Sequence, residues 1–225
     1  TDEDTTRDFG TGKSHFWSIS QRHQCTLGTD GAIMFHVKQT TSNNNYNLLI
    51  MNTKLLIDNL RCVPDFPKKG INFRDVTTLY KSAECMKEML DEMERLYKDK
   101  GITKIVGVES RGFVMASALA GRLGCGVVLA RKPGKLPATV IKESFSKEYG
   151  VDTVEMHLDS IDQNDVVLIH DDLLATGGTA KAAYKLVEHF HPKKVYMNFI
   201  IEITDEGLHG RDLFDGIELT TLLTV

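Results

Sequence analysis

Residues 166–179 read VVLIHDDLLATGGT, an apolar run followed by two adjacent carboxylates and a turn of small residues with two threonines and two glycines. The run Val166 to Ile169 does not alternate with polar residues, so it suits a strand covered on both faces, as in a parallel sheet. The Gly177-Gly178 pair permits a tight turn, and the residues after it open a helix whose first N–H groups have no partner within the helix. Alone, an acid pair ordinarily begins a surface turn and a glycine pair ordinarily supplies φ > 0. In this order the parts describe one site. Asp171 and Asp172 can accept bonds from vicinal ribose hydroxyls or face Mg2+, while Ala175, Thr176, Gly177, Gly178 and Thr179 offer backbone donors and two hydroxyls to a monophosphate.

Further strand and helix signals alternate along the chain: KIVGV at 104–108, RGFVMASALAGRL at 111–123, GVVLA at 126–130, the strand at 166–170 with a helix to about 190, and VYMNFIIEI at 195–203. This alternation predicts an α/β fold with a parallel sheet covered by helices. Upstream, AECMKEMLDEMERLY at 83–97 has helical spacing, with Met86, Met89, Leu90, Met93 and Leu96 expected to face inward.

Ligands of open parallel sheets collect beyond the carboxyl ends of the strands, and two more loops fall there. Glu109-Ser110-Arg111-Gly112 follows KIVGV, where a helix start and a guanidinium could hold pyrophosphate. Arg131-Lys132-Pro133-Gly134-Lys135-Leu136-Pro137 follows GVVLA and concentrates three positive charges in a turn stiffened by two prolines. It suits a diphosphate leaving group, with Lys135 and Arg131 as the expected contacts.

A Walker loop is excluded. The nearest match, Gly12-Lys13-Ser14, has Arg7 where the leading glycine belongs and no strand signal before it. With 225 residues, 41% of them hydrophobic, the chain can bury one substantial core. A net charge of −4 gives no general basic field for nucleic acid, and there is no apolar run of the ~18 residues needed to span a membrane. The expected partner is a small molecule and the expected location is cytoplasmic. Cys25, Cys62, Cys85 and Cys125 are too far apart for a CxxC pair or a compact metal cluster, so reduced thiols are expected. Residues 1–50, with the acidic start TDEDTTRD and the polar tract SNNNYN, lack sustained periodicity and read as a poorly structured extension to a catalytic domain at 51–225.

The acid-pair loop resembles the ribose-phosphate loop of the type I phosphoribosyltransferases. The likeness narrows to the adenine phosphoribosyltransferase family because PDFPKKGINFRD, VESRGF, RKPGKLP, SFSKEYG and IHDDLLATGGTA follow one another in that family's order, across about residues 55 to 215. The resemblance implies helices on both faces of the sheet and a small base-binding hood. It implies that Phe73 stacks on adenine while backbone groups around Asn72 and Arg74 read its polar edge. It also implies that SFSKEYG is a mobile catalytic loop in which Glu148, beside Tyr149, is the general acid/base. The implied reaction joins adenine to 5-phosphoribosyl-1-pyrophosphate, giving AMP and pyrophosphate, with Mg2+ held mainly through the substrate and by Asp171 and Asp172. Arg111 and Lys135 would stabilise the departing group, and Ser110 would contribute to its pocket. A homodimer acting in purine salvage is implied as well. Asn72 and Pro133 depart from the family's pattern at positions that would tune base preference and pyrophosphate affinity. A transferase for another purine base, or a noncatalytic sensor of the same donor, would share the ribose-phosphate loop but make different demands on the base loop and Glu148.

Overall fold

The computed structural model describes residues 51–147, 150–204 and 207–225. The expectation for residues 1–50 and the assignments of Glu148 and Tyr149 lie outside the described residues. In chain order the elements are α1 (Thr53–Asn59), β1 (Arg61–Val63), β2 (Phe73–Asp75), α2 (Thr77–Tyr80), α3 (Ala83–Tyr97), β3 (Lys104–Val108), α4 (Gly112–Leu123), β4 (Gly126–Ala130), β5 (Val140–Lys147), β6 (Gly150–His157), β7 (Val166–Leu174), α5 (Gly178–Glu188), β8 (Lys194–Glu202), a 3-10 turn (Gly210–Phe214) and β9 (Glu218–Thr224).

Five strands form one parallel sheet in the order β4-β3-β7-β8-β9. Its two faces carry separate cores, because successive side chains of a strand point to opposite sides. Ile105, Leu168, Ile200 and Leu222 pack with α1, α3 and α4, whereas Val106, Val167, Ile169, Met197 and Phe199 pack with α5, β6 and Phe214. The α/β architecture with helices on both faces is therefore present. The chain leaves β3 for β4 on one side and returns as β7 on the other, and that reversal of strand order opens a crevice at the strand ends.

Helix α3 is capped by the Ser82 hydroxyl, which accepts from the Cys85 N–H at 3.3 Å. Its fully buried row is Cys85, Met89, Met93 and Tyr97, one residue every four, while Met86, Leu90 and Leu96 pack partly buried beside it. The inward stripe is thus rotated slightly from the one expected. Tyr97 explains the rotation: its hydroxyl crosses to the sheet, donates to the Met197 carbonyl at 3.1 Å and bonds Thr220 Oγ1 at 2.5 Å.

Two antiparallel pairs stand apart from the main sheet. β1 and β2 form the small hood, where Val63 is opposite Phe73, and β5 and β6 form a hairpin with Val140 opposite His157. The described part of SFSKEYG falls in the two strands of that hairpin, Ser144 to Lys147 in β5 and Gly150 in β6. Cys85 and Cys125 are free thiols, whereas Cys62 is disulfide-bonded. That corrects the expectation of reduced thiols at position 62, since pairing depends on Cα separation in the fold and not on spacing in the chain. Among the described residues no helix is long and apolar enough to cross a membrane.

Candidate active site

The acid pair sits near the end of β7, where Asp171 is in register with Phe199 of β8. Asp172 is 4% exposed and its Oδ2 lies 2.6 Å from Arg111 Nε, while Asp171 Oδ1 accepts the Asp172 backbone N–H at 2.8 Å. Burial raises both carboxyls above their ordinary range; the neighbouring Asp172 charge pushes Asp171 well above it, and the Arg111 guanidinium draws Asp172 part of the way back. Tyr80 donates to the Arg111 carbonyl at 3.2 Å, and its phenol is raised by burial and then by the same two carboxylates. Behind the pair, His170 is fully buried and bonded to Asn198 at 2.9 Å. Burial pushes its imidazole down to about 4, so it is neutral at physiological pH.

The start of α4 approaches this strand closely. A Cβ on Gly112 would lie 2.8 Å from the His170 carbonyl oxygen and 3.0 Å from Asp171 Oδ1, so only glycine lets the Arg111 loop rest against the acid pair.

The turn after β7 leads directly into α5. Gly177 adopts φ 77°, the left-handed region, and caps the helix without a side chain, leaving the first N–H groups directed at the crevice. The 3-10 turn supports it from behind: the Gly210 N–H donates to the Ala175 carbonyl at 3.0 Å, and a Cβ on Gly177 would meet the Gly210 oxygen at 2.9 Å. From the other side the Phe145 ring of the hairpin closes on Gly178, 3.0 Å from where a Cβ would stand.

The basic turn after β4 is held by Glu109, whose Oε2 accepts from the Lys132 N–H at 2.9 Å and from Arg131 Nε at 3.2 Å. Burial alone would raise that carboxyl, but the Lys132 N–H and the Arg131 guanidinium hold it below its ordinary value. Arg131 Nη1 also donates to the Lys135 carbonyl at 3.0 Å, which curls the turn around the guanidinium.

The structure brings Ser110, Arg111, Arg131, Asp171, Asp172 and the whole of Ala175 to Thr179 around one cavity of about 490 Å³. That size is ordinary for a small-molecule site. Phe73, Arg74 and Lys135 do not line it. Lys135 is exposed on the outer part of the turn, Arg74 is buried on β2, and Phe73 is half-buried with its ring 5.5 Å from the Arg111 guanidinium carbon and 5.2 Å from the edge-on Phe66 ring. Arg111 thus touches both the hood and the acid pair. Sequence reasoning missed Phe145, Asp152 and Thr153 as wall residues and Glu109 as the anchor of the basic turn. Phe145 lies inside the SFSKEYG motif, whereas Asp152 and Thr153 follow it in GVDTVEMH, where only Val154 to His157 alternates apolar with polar.

Two adjacent carboxylates that are incompletely compensated are hard oxygen donors of the kind Mg2+ takes when phosphates supply its other ligands. Among the described residues no group of three or more His, Cys, Asp or Glu could hold a metal ion.

Residues 76–206 match the family model described as the phosphoribosyl transferase domain. The adenine phosphoribosyltransferase of Phocaeicola vulgatus is 58% identical over 176 residues, which is 78% of this chain and all of that protein. The solved adenine phosphoribosyltransferase of Rhodothermus marinus superposes with a TM-score of 0.72 at 43% identity, covering 77% of this chain and 98% of that one. The Giardia lamblia enzyme, solved with 9-deazaadenine, gives a TM-score of 0.73 at 38% identity and covers 78% of this chain and 99% of its own. On the family match, the identity to relatives and the shared fold, the chain belongs to the adenine phosphoribosyltransferase family of phosphoribosyl transferase domains.

Proposed function

We propose that this protein transfers the 5-phosphoribosyl group of phosphoribosyl pyrophosphate to adenine, releasing pyrophosphate and forming AMP. The observation that carries this reading is the single cavity in which an acid pair, a glycine turn at a helix start and two guanidinium groups converge. Each part matches one portion of the donor. The N–H groups after Gly177 and the hydroxyls of Thr176 and Thr179 take the 5-phosphate, Asp171 and Asp172 take the ribose hydroxyls, and Ser110, Arg111, Arg131 and Lys135 face the pyrophosphate.

Phe73 is the stacking platform for adenine, with Arg74 and the neighbouring backbone at the base edge. Its placement supports this: Arg111 links its ring to Asp172, so the hood and the ribose end of the cavity are separated by the width of one guanidinium. Adenine N9 then attacks the anomeric carbon as the bond to pyrophosphate oxygen breaks, with inversion. Positive charge developing on the ribose is met by the acid pair, and negative charge on the leaving group by Arg111, Arg131 and Lys135. Glu148 accepts the adenine proton, with Tyr149 beside it in sequence. Bound Mg2+, held by Asp171 and Asp172 together with the phosphates, would supply Lewis-acid stabilisation of the leaving polyanion.

In this reading residues 51–225 are the enzyme body and residues 1–50 an N-terminal extension. A homodimer is favoured by the apolar Val127 and Leu129 left exposed on the outer strand β4. The reaction would serve cytoplasmic purine salvage, the setting the family resemblance implies. The test is pyrophosphate release with phosphoribosyl pyrophosphate and Mg2+, offering adenine, guanine, hypoxanthine, xanthine and orotate separately, in wild type and Glu148→Ala. Turnover with adenine alone, lost in the variant, is expected. Turnover with another base refutes the specificity, and donor binding without turnover turns the protein into a sensor.

A further inference from the structure

Glu155 is a buried carboxylate that does not line the cavity, yet it is bonded to the basic turn at two points. It is 2% exposed on β6, and its Oε2 accepts the Gly134 N–H at 3.0 Å. Its backbone exchanges a pair of hydrogen bonds with Arg131, Arg131 N–H to Glu155 O at 2.9 Å and Glu155 N–H to Arg131 O at 2.7 Å. The second oxygen faces Lys142 Nζ at 2.7 Å.

A carboxylate behind an anion site is electrostatically unfavourable, and one removed from solvent needs a compensating partner. Lys142 offsets the charge, and with the Gly134 N–H it holds the carboxyl below its ordinary value. The geometric return is specific. Glu109 grips the near end of the turn through Lys132, Glu155 grips its crest through Gly134, and Gly134 sits at φ 76°, where the turn reverses between Arg131 and Lys135.

We propose that Glu155 is a positioning residue for the pyrophosphate arm, fixing the crest of the 131–137 turn so that Arg131 and Lys135 are presented to the leaving group. This rests on the reading of that turn as the pyrophosphate contact. Losing one buried bond should weaken pyrophosphate binding about tenfold.

The experiment measures KM for phosphoribosyl pyrophosphate, KM for adenine and the inhibition constant of inorganic pyrophosphate in the full chain, for Glu155→Gln, Glu155→Asp, Glu155→Ala and Lys135→Ala. The Gln variant keeps an oxygen for Gly134 and is expected to stay within about twofold of wild type. The Asp variant keeps the charge but withdraws it by one methylene. It and the Ala variant are expected to raise the donor KM and the pyrophosphate constant about tenfold while adenine KM holds within about twofold. Should Glu155→Ala fail to fold, the Asp and Gln pair decides alone. Equal losses for both substrates, Gln as impaired as Asp, or an unchanged pyrophosphate constant in Asp overturns the proposal. An unchanged constant in Lys135→Ala refutes the assignment of the turn itself, which separates the failure of that reading from the failure of the inference about Glu155.

Discussion

Gly210→Ala tests whether the 3-10 turn sets the position of the phosphate loop. The new Cβ would lie 2.3 Å from the Ala175 carbonyl oxygen and 2.9 Å from the Gly177 nitrogen, both backbone atoms that no rotamer change can move. Restoring an ordinary contact of about 3.4 Å to Ala175 requires a displacement of about 1 Å. The 3-10 turn cannot readily supply it, because Arg211 Nε is bonded to Glu202 Oε1 at 2.8 Å, Lys181 Nζ to the Leu213 carbonyl at 3.1 Å, and Phe214 is buried at 4%. The displacement therefore falls on residues 175–177, and the Gly210 N–H bond to Ala175 goes with it. A misplacement of about 1 Å in a binding constellation costs on the order of 100-fold in kcat/KM, about 2.7 kcal/mol. The overpacking itself should cost about 1–3 kcal/mol of stability. The assay is kcat/KM for phosphoribosyl pyrophosphate at saturating adenine, alongside inhibition by ribose 5-phosphate and by pyrophosphate. Ribose 5-phosphate should weaken strongly and pyrophosphate little, since the basic turn is held by Glu109 and not by Gly210. A kcat/KM within about threefold of wild type, or equal weakening of both inhibitors, would refute the reasoning.

Gly112→Ala should improve helix propensity by up to about 1 kcal/mol, yet lower kcat at least about tenfold, because its Cβ would stand 2.8 Å from the His170 oxygen and 3.1 Å from Asp171 Cα; wild-type kcat in this variant would show that the close approach is dispensable. Phe73→Ala should raise adenine KM about tenfold or more, the usual worth of a base stacked on an aromatic ring, with the donor KM little changed; steady-state kinetics in both substrates decides it. Asp171→Asn should abolish turnover but stabilise the ligand-free protein at neutral pH. Burial and the Asp172 charge raise the Asp171 carboxyl, so the folded protein takes up a proton at a pH where the unfolded chain is still ionised, and stability falls as pH rises from the ordinary carboxylate value through the raised one. Thermal melts between pH 4 and 8 should show part of that fall missing in the variant and a higher Tm at pH 7.5; an identical pH profile would refute the charge argument.

The strands that were legible in the sequence are those whose evidence is local. KIVGV and VVLIH are continuous apolar runs because the sheet buries both of their faces, and Val106, Val167 and Ile169 are fully buried as that predicts, whereas GVVLA is as apolar but, as the outer strand, leaves Val127 and Leu129 exposed. β9, ELTTLLT, was not legible: it is the outer strand beside β8, with polar residues at half-buried positions, and its pairing of Tyr196 with Glu218 spans a separation no window of sequence can weigh. The two strands of the hairpin were not legible, since charged residues stand on both of their faces, Glu143 and Asp152 on the side of Val154 and Met156 and Lys142 and Glu155 on the other. In the site, the cavity-lining groups were legible because their residue types match donor chemistry directly. Glu109, Glu155 and Gly210 were not, because each acts through a backbone group of another loop, and that partner is chosen by tertiary placement alone.

A cavity for a polyanion surrounded by acidic side chains needs an account of where their charge goes. Glu109 is committed to the Lys132 N–H and Arg131, Glu155 to Lys142 and the Gly134 N–H, and Asp172 to Arg111. Asp171 receives the Asp172 N–H, but its carboxyl lies nearest a second carboxylate, and it is the one pushed well above the ordinary range. The unmet demand of the ligand-free site is therefore concentrated on one side chain, beside the turn proposed to hold the 5-phosphate. Ribose hydroxyls donating to Asp171, and a divalent cation shared with the phosphates, would supply what that carboxylate lacks, so ligand binding and fold stability are linked there. Donor without cation should then stabilise the protein less than donor with it, because only the cation offsets charge on Asp171 and on the phosphates at once.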